Sequence, residues 1–571
     1  MTSISKNSSL NNCRYEQVTH SSQKVTVVAD SLDASSHEDR ELHTDQYASH
    51  DTLSKTSSTR TRSVSSSHKI LYCAVTSSLS GLIFGFDTVV ISGAEQQIQS
   101  QWSLSDGMHG LVISMAIWGT VIGSIIGAWP TEMLGRTKTL FLIGVLYVIS
   151  AIWSAEAGNE YQFMVARAVG GLGVGISTVT SPLYNSEISP PQWRGRLAGL
   201  FQFQICVGIL IAYCSNAVIM ALIGESRPEI AWRWMMGVAA VPASVYTFLS
   251  CGLPESPRWL ITHRQDHDAA LSVLQNVQPD ASVEELQATV HAIQREVDQD
   301  NDTASHDQFW SRRLARPIFL AITIGLFNQL SGINAILYFA PRVFEMAGLG
   351  AKNALMQSIG IGITNLVFTF LGLSLIDRLG RRTLLIIGTI GYIVTLLTCV
   401  FGFWARIYSI VPWALFGFIG AHAIGQGSVI FVYLAEIFPT KYRSKGQGLG
   451  SFSHWINAAL ISTFFPEVVD STSPQFTFFL FAIFMMVALV WVVCCVPETK
   501  GVPLEEIGKV LGFDVDGDGG NTPMLSENSK LALASKYTHA LIMDDEADDS
   551  DDDVFVDEQI EMGKMHAGGA P

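Results

Sequence analysis

Of 571 residues, 48 % are hydrophobic and 15 % are charged, against the roughly 25 % charged residues usual in soluble domains. A soluble enzyme or nucleic-acid binder is excluded, and a polytopic membrane protein is expected. The formal charge of −16 says little about partners, because residues 544–553, DDEADDSDDD, alone hold eight acids.

In chain order, residues 1–68 are polar, rich in Ser, Thr, His and Asp, and read as a disordered cytoplasmic arm rather than a signal or targeting segment. Six apolar runs follow at about 70–92, 108–130, 139–156, 161–184, 196–223 and 231–253. A polar stretch at 258–312 contains one predicted amphipathic helix, DASVEELQATVHAIQREV (280–297). Six more runs come at about 316–340, 354–376, 383–405, 411–435, 446–468 and 475–496. Most can cross a hydrocarbon core as one helix each. The expected fold is all-α: twelve transmembrane helices in two pseudo-symmetric six-helix bundles, 69–257 and 313–500, joined by the linker 258–312 and followed by an acidic, mostly disordered tail, 501–571.

Two patterns support that division. Lys and Arg gather in alternate loops, at Arg136 and Lys138, Arg194 and Arg196, Arg378, Arg381 and Arg382, and Lys441, Arg443 and Lys445. None occurs between Gly93 and Gly107. By the positive-inside rule both termini and the linker are cytoplasmic. The halves also repeat: EISPPQWRGR (187–196) returns as EIFPTKYRSK (436–445), LGR (134–136) at 379–381, and PESP (254–257) as PETK (497–500). Parallel repeats suit rocking about a central site.

Polar groups inside the apolar runs are the candidate machinery. Asp87 is the one acid in LSGLIFGFDTVVISGA (79–94). A carboxylate there must be neutralised or find a partner. Arg167, a lone charge in the fourth run, is the predicted partner, and protonation of Asp87 would release it. In the seventh run, Asn328, Gln329, Asn334 and Tyr338 do not share one helical face. A break near Ser331–Gly332 would bring them together, as in discontinuous transport helices. Amides offer both donors and acceptors, which sugar hydroxyls require. At the loop ends, Glu132, Arg136, Glu187, Arg194 and Glu255 are mirrored by Asp377, Arg381, Glu436, Arg443 and Glu498. The symmetry predicts ion pairs between the halves that latch the cytoplasmic side and break when it opens.

The motifs GRTK (135–138), PESPRWL (254–260), NQLSGINAILYFAP (328–341), DRLGRR (377–382), EIFPTKYRSKG (436–446) and PETKG (497–501) together resemble those of the sugar porter family of the major facilitator superfamily, over about 70–508. The resemblance implies that Asp87 carries the proton in coupled transport. It implies a hexose site containing Gln202, Asn328, Gln329, Asn334, Phe431, His454 and Trp455, with Gln204 left to a helix contact. The sequence departs from the family pattern at Met133 and Thr137, where arginines are usual, at Asn328, where Gln is usual, and at Ser428 and Phe431, where a Pro and a Trp are usual.

The expected function is symport of a proton with a hexose or related polyol by alternating access. Facilitative uniport, and symport of myo-inositol or a pentose, are the alternatives; a transporter-like sugar sensor is a third class. No nucleophile–base pair is present, so no enzyme is expected. No cofactor, nucleic-acid partner or metal site is expected either. The eight cysteines lack metal-ligand spacing, and DVDGDGG (514–520) imitates a calcium loop but puts Leu525 at its last ligand position. The carrier is expected to act as a monomer in the plasma membrane.

Overall fold

The computed structural model describes residues 55–190, 194–224, 226–279, 281–303, 309–438, 442–502 and 511. Most of the N-terminal arm, the calcium-like loop and the acidic tail lie outside the described residues, as do the side chains of 55–67, 194–196, 198, 224, 228 and 296–303.

Every described element is helical. The N-terminal half contains α1 (Lys55–Val90), α2 (Glu95–Gln101), α3 (Asp106–Ile126), α4 (Ala128–Leu134), α5 (Arg136–Glu156), α6 (Glu160–Ile188), α7 (Arg194–Ile219), α8 (Pro228–Gly237) and α9 (Ala240–Ser250). The linker contains α10 (Pro257–Trp259), α11 (His267–Val277) and α12 (Val283–Thr303). The C-terminal half contains α13 (Ala315–Leu330), α14 (Ile333–Tyr338), α15 (Ala340–Met346), α16 (Ala351–Leu379), α17 (Arg381–Trp404), α18 (Val411–His422), α19 (Ser428–Glu436), α20 (Arg443–Ser471) and α21 (Pro474–Cys495). Ten described spans are long and apolar enough to cross a membrane, so the chain is an all-α, multi-pass integral membrane protein.

Three elements differ from the sequence expectation. The helix of α1 starts at Lys55 rather than near residue 70, because nothing from Lys55 to Lys69 is a Gly or Pro that would stop it. The run 231–253 is not one helix: α8 ends at Gly237 and α9 begins at Ala240. Pro242 has no N–H to offer the Val238 carbonyl, so the ladder cannot run through. The linker holds two sizeable helices, α11 and α12, packed through Ala270, Leu274, Leu286 and Val290 onto Trp259, Leu260 and Ile261.

The N-terminal helices pack through small residues. At Gly171 of α6 an added Cβ would lie 1.8 Å from the Ala116 carbonyl oxygen of α3, so the two backbones touch, as helix interfaces in lipid favour. On the side of the 93–107 connection, α3 of one half meets α20 of the other. There Thr463 Oγ1 lies 2.6 Å from Ser114 Oγ and accepts from Trp118 Nε1 at 3.1 Å.

Candidate functional site

Asp87 of α1 is buried, and Arg167 of α6 is fully buried beside it. Arg167 Nη1 donates to Asp87 Oδ1, and Nη2 donates to the Asp87 carbonyl oxygen at 2.9 Å. Asp87 Oδ2 is buried without a hydrogen-bond partner. One carboxylate oxygen is therefore committed to the guanidinium, and the other is open to a proton. The second Arg167 bond goes to backbone, so the arginine keeps a hold on α1 when the carboxylate changes charge.

The break expected near Ser331–Gly332 is present. α13 ends at Leu330, Gly332 has φ +85°, and α14 begins at Ile333. Gly332 is required twice over: its φ is unfavourable for any L side chain, and an added Cβ would sit 2.5 Å from the Phe481 ring. Gly332→Ala is accordingly expected to cost more than the roughly 1–2 kcal/mol of a left-handed alanine. Thermal unfolding of the purified variant would show a lowered midpoint.

The break joins the amides across it. Gln329 Nε2 donates to Asn328 Oδ1 at 2.9 Å, and Asn334 Nδ2 donates to Gln329 Oε1 at 2.8 Å. Gln329 Nε2 also lies 3.2 Å from His454 Nε2 of α20. Asn328 Nδ2 and Trp455 Nε1 are buried without partners. The His454 ring meets Phe431 of α19 at 5.6 Å between centroids and Trp455 at 4.7 Å. Phe431 remains 38 % exposed, so its ring is available to a ligand. Tyr338, at the end of α14, is buried, beside Thr88 and within electrostatic reach of both Asp87 and Arg167. Thus α14 carries Asn334 in the amide cluster and, at its end, the buried Tyr338, on which the charges of the ion pair act. Of the other sugar-site candidates, Gln202 of α7 is half-buried, while Gln204 donates to the Val75 carbonyl at 3.1 Å, a helix contact.

Sequence reasoning missed two residues here. Phe84 of α1 packs on Trp455 at 5.6 Å; it lies three residues before Asp87 but looks like any apolar residue. Gln426 is buried with an unpartnered Oε1 in a π-helical turn, Ala423–Gly427, between α18 and α19. The turn ends just before Ser428, which stands where the family pattern has a proline, and Ser428 Oγ donates to the Ala423 carbonyl at 2.6 Å.

The loop-end charges pair differently from expectation. Arg136 makes two bonds to Glu187, 2.9 and 2.8 Å, and pairs with Glu132 at 3.2 Å. Glu255 accepts the backbone N–H of Arg136 at 2.8 Å and the Thr137 hydroxyl at 2.7 Å. In the other half Arg381 pairs with Glu436 at 2.8 Å and Asp377 at 3.1 Å, and Glu498 accepts the Arg381 N–H at 2.8 Å. These pairs lie within each half, not between halves. The cause is local: Gly135 at φ +95° and Gly380 at φ +87° turn the chain so that each arginine opens its helix beside the acids of its own bundle. Thr137, where the family pattern has an arginine, serves as a neutral donor to Glu255. Arg443 opens α20, and the side chain of Arg194 lies outside the described residues.

A family model described as "Sugar (and other) transporter" matches residues 73–511. The chain is 33 % identical over 445 residues to the arabinose-proton symporter of Bacillus subtilis, covering 77 % of this chain and 94 % of that one. It is 32 % identical over 437 residues to a glucose transporter of Staphylococcus epidermidis, covering 75 % and 94 %. Its structure resembles a partially occluded, inward-open conformation of the xylose transporter XylE from Escherichia coli, with a TM-score of 0.68 and 27 % identity, covering 76 % of this chain and 100 % of that one.

Proposed function

The chain belongs to the sugar transporter family, and from that premise we propose that it moves a sugar or related polyol together with a proton by alternating access. It is a transport protein, not an enzyme. The observation that carries the reading is that α14 holds Asn334 in the amide cluster and, four residues on, the buried Tyr338, on which the charges of the Asp87–Arg167 pair act. A solute at the amides and a proton at Asp87 then act on one short helix. The names of the relatives, a proton symporter of arabinose among them, support the same class of substrate.

In this reading the fold has twelve crossings in two six-helix bundles: the ten apolar spans, the broken α8–α9, and α20, whose buried face carries Ser453, His454, Ser462 and Pro466. The Lys- and Arg-rich loops face the cytoplasm, as do both termini, and the membrane is the plasma membrane. Gln202, Asn328, Gln329, Asn334, Tyr338, Phe431, His454 and Trp455 bind the solute. The loop-end pairs brace each bundle on its cytoplasmic side and exchange partners as that side closes.

The test is uptake of a radiolabelled sugar panel into vesicles, with and without an imposed pH gradient. Accumulation of one sugar above equilibrium only with the gradient supports symport; uptake of none of the panel rejects the sugar reading. Phe431→Ala is expected to weaken sugar binding severalfold and Phe431→Trp to preserve it, because a ring face stacks on a pyranose face. Equilibrium binding to purified protein checks both.

A further inference from the structure

A second buried charged network lies at the opposite end of the molecule from the motif loops. Glu95 of α2 and His109 of α3 are both fully buried, with His109 Nε2 3.0 Å from Glu95 Oε2 and 3.2 Å from the Glu95 carbonyl oxygen. His109 Nδ1 has no hydrogen-bond partner. The one cation near Glu95 among these contacts is Arg342 of α15, from the other half, at 3.8 Å. Arg342 is shared: Nη2 lies 2.7 Å from Asp470 of α20, and Nη1 donates to Gln99 of α2 at 3.2 Å. Beside it, Gln96 of α2 donates to Glu345 of α15 at 2.8 Å.

The charge balance of this closed mouth is unusual. Glu95 and Asp470 lie against one guanidinium, whose charge also acts on Glu345. Of the other charged groups at this end, Lys352 near the start of α16 is exposed. Asp106 of α3 accepts from Gln99, and Glu467 of α20 lies beside Gly107; both are acids. Arg233 of α8 is turned to the carbonyl oxygens of Ala155 and Ala157, and Glu229 is exposed. Burial, opposed by the Gln96 hydrogen bond and reinforced by Glu95, already pushes the Glu345 carboxyl above its ordinary value. Parting the halves would take Glu95 and His109 away from Arg342, Glu345 and Asp470 and into water. Closing them brings a dry carboxylate up to two others with one cation among the three.

We propose that the Glu95–His109 pair is a second proton site, which takes up a proton from outside as the outer mouth closes and returns it to the same side as the mouth opens. The proton enters on the Glu95 carboxylate or His109 Nδ1, and no bond other than that to hydrogen changes. Because it goes back to the side it came from, it adds no proton to the transport stoichiometry. It makes closure depend on external pH. The inference rests on the symport reading for its orientation and for the opening motion.

The test reads opening directly. Thr463→Cys places a thiol at the α3–α20 contact, and Ser100→Cys, on the exposed face of α2, corrects for ionisation of the reagent's target. Labelling by a membrane-impermeant maleimide is measured from about pH 5 to about pH 8, with the chain lacking either added cysteine as background. The Thr463→Cys rate, relative to Ser100→Cys, is expected to rise severalfold with pH and to become independent of pH once Glu95→Gln is added. His109→Gln repeats the measurement should Glu95→Gln fail to fold. The sugar accumulation ratio in Glu95→Gln is expected to equal that of the unmodified chain. A flat profile in the Thr463→Cys chain, or a pH dependence that survives both substitutions, overturns the proposal. So does a lowered accumulation ratio in Glu95→Gln, which would make this proton a transported one. Failure of the symport reading shows up separately, as no gradient-driven uptake in the unmodified chain.

Discussion

Asp87→Asn is expected to abolish uphill sugar accumulation while leaving sugar binding and equilibrium exchange in place. Asparagine has nearly the shape of the protonated acid but cannot release a proton. In the native pair, Arg167 is held by Asp87 Oδ1 and by the Asp87 carbonyl oxygen, while Oδ2 is buried without a partner. The backbone bond survives in the variant, so α1 and α6 stay joined and the fold is retained. What is lost is the change of charge. On the proposed cycle, protonation loosens the side-chain bond of Asp87 to Arg167 and leaves the backbone bond, which lets the bundle close on solute; loss of the proton inside restores the side-chain pair and resets the carrier. A pH gradient of one unit is worth about 1.4 kcal/mol, or about a tenfold concentration ratio for one proton per sugar. In the variant that ratio should fall to one. Gradient-driven uptake and exchange, measured side by side in vesicles, decide the matter. Accumulation persisting in Asp87→Asn would remove Asp87 as the proton carrier.

Much of this was legible in the sequence because each signal had a single physical reading. A lone acid and a lone arginine in two apolar runs have few partners other than each other, and Asp87 and Arg167 meet. Amides on either side of a Ser-Gly step signalled a broken helix, and Gly332 breaks it. What was not legible depended on distance in space. The loop-end repeats announced charge pairs but not their partners: Glu187 and Glu436 turn to arginines of their own bundles, at the helix starts set by Gly135 and Gly380. Phe84 carried no chemical mark. Glu95 and His109 sit in and beside a short polar connection, where an acid and a histidine ordinarily face water; their burial depends on packing that is distant in the chain. The broken sixth run could have been suspected from Pro242, yet its composition is as apolar as that of any single crossing.

Gln329→Ala is expected to weaken sugar binding more than Asn334→Ala, although both residues belong to one cluster. Gln329 is its hub: its amide nitrogen serves Asn328 and approaches His454, and its oxygen takes the Asn334 bond. Truncating Asn334 removes one donor from a half-buried position and leaves Gln329 oriented by Asn328. Truncating Gln329 removes a ligand group and also leaves Asn334 and His454 without the atom that aims them. A lost hydrogen bond that strands a buried partner costs about 1–3 kcal/mol. That corresponds to a dissociation constant raised about 5- to 150-fold, with Asn334→Ala near the lower figure and Gln329→Ala near the upper. The Asn328, Gln329 and Asn334 bonds are local to the break in the helix, so the unfolding midpoint should move less than the affinity. Equilibrium binding and thermal unfolding on the same purified preparations separate the two effects. Native affinity in both variants would place the sugar elsewhere in the bundle, and equal losses in the two would deny Gln329 its organising role.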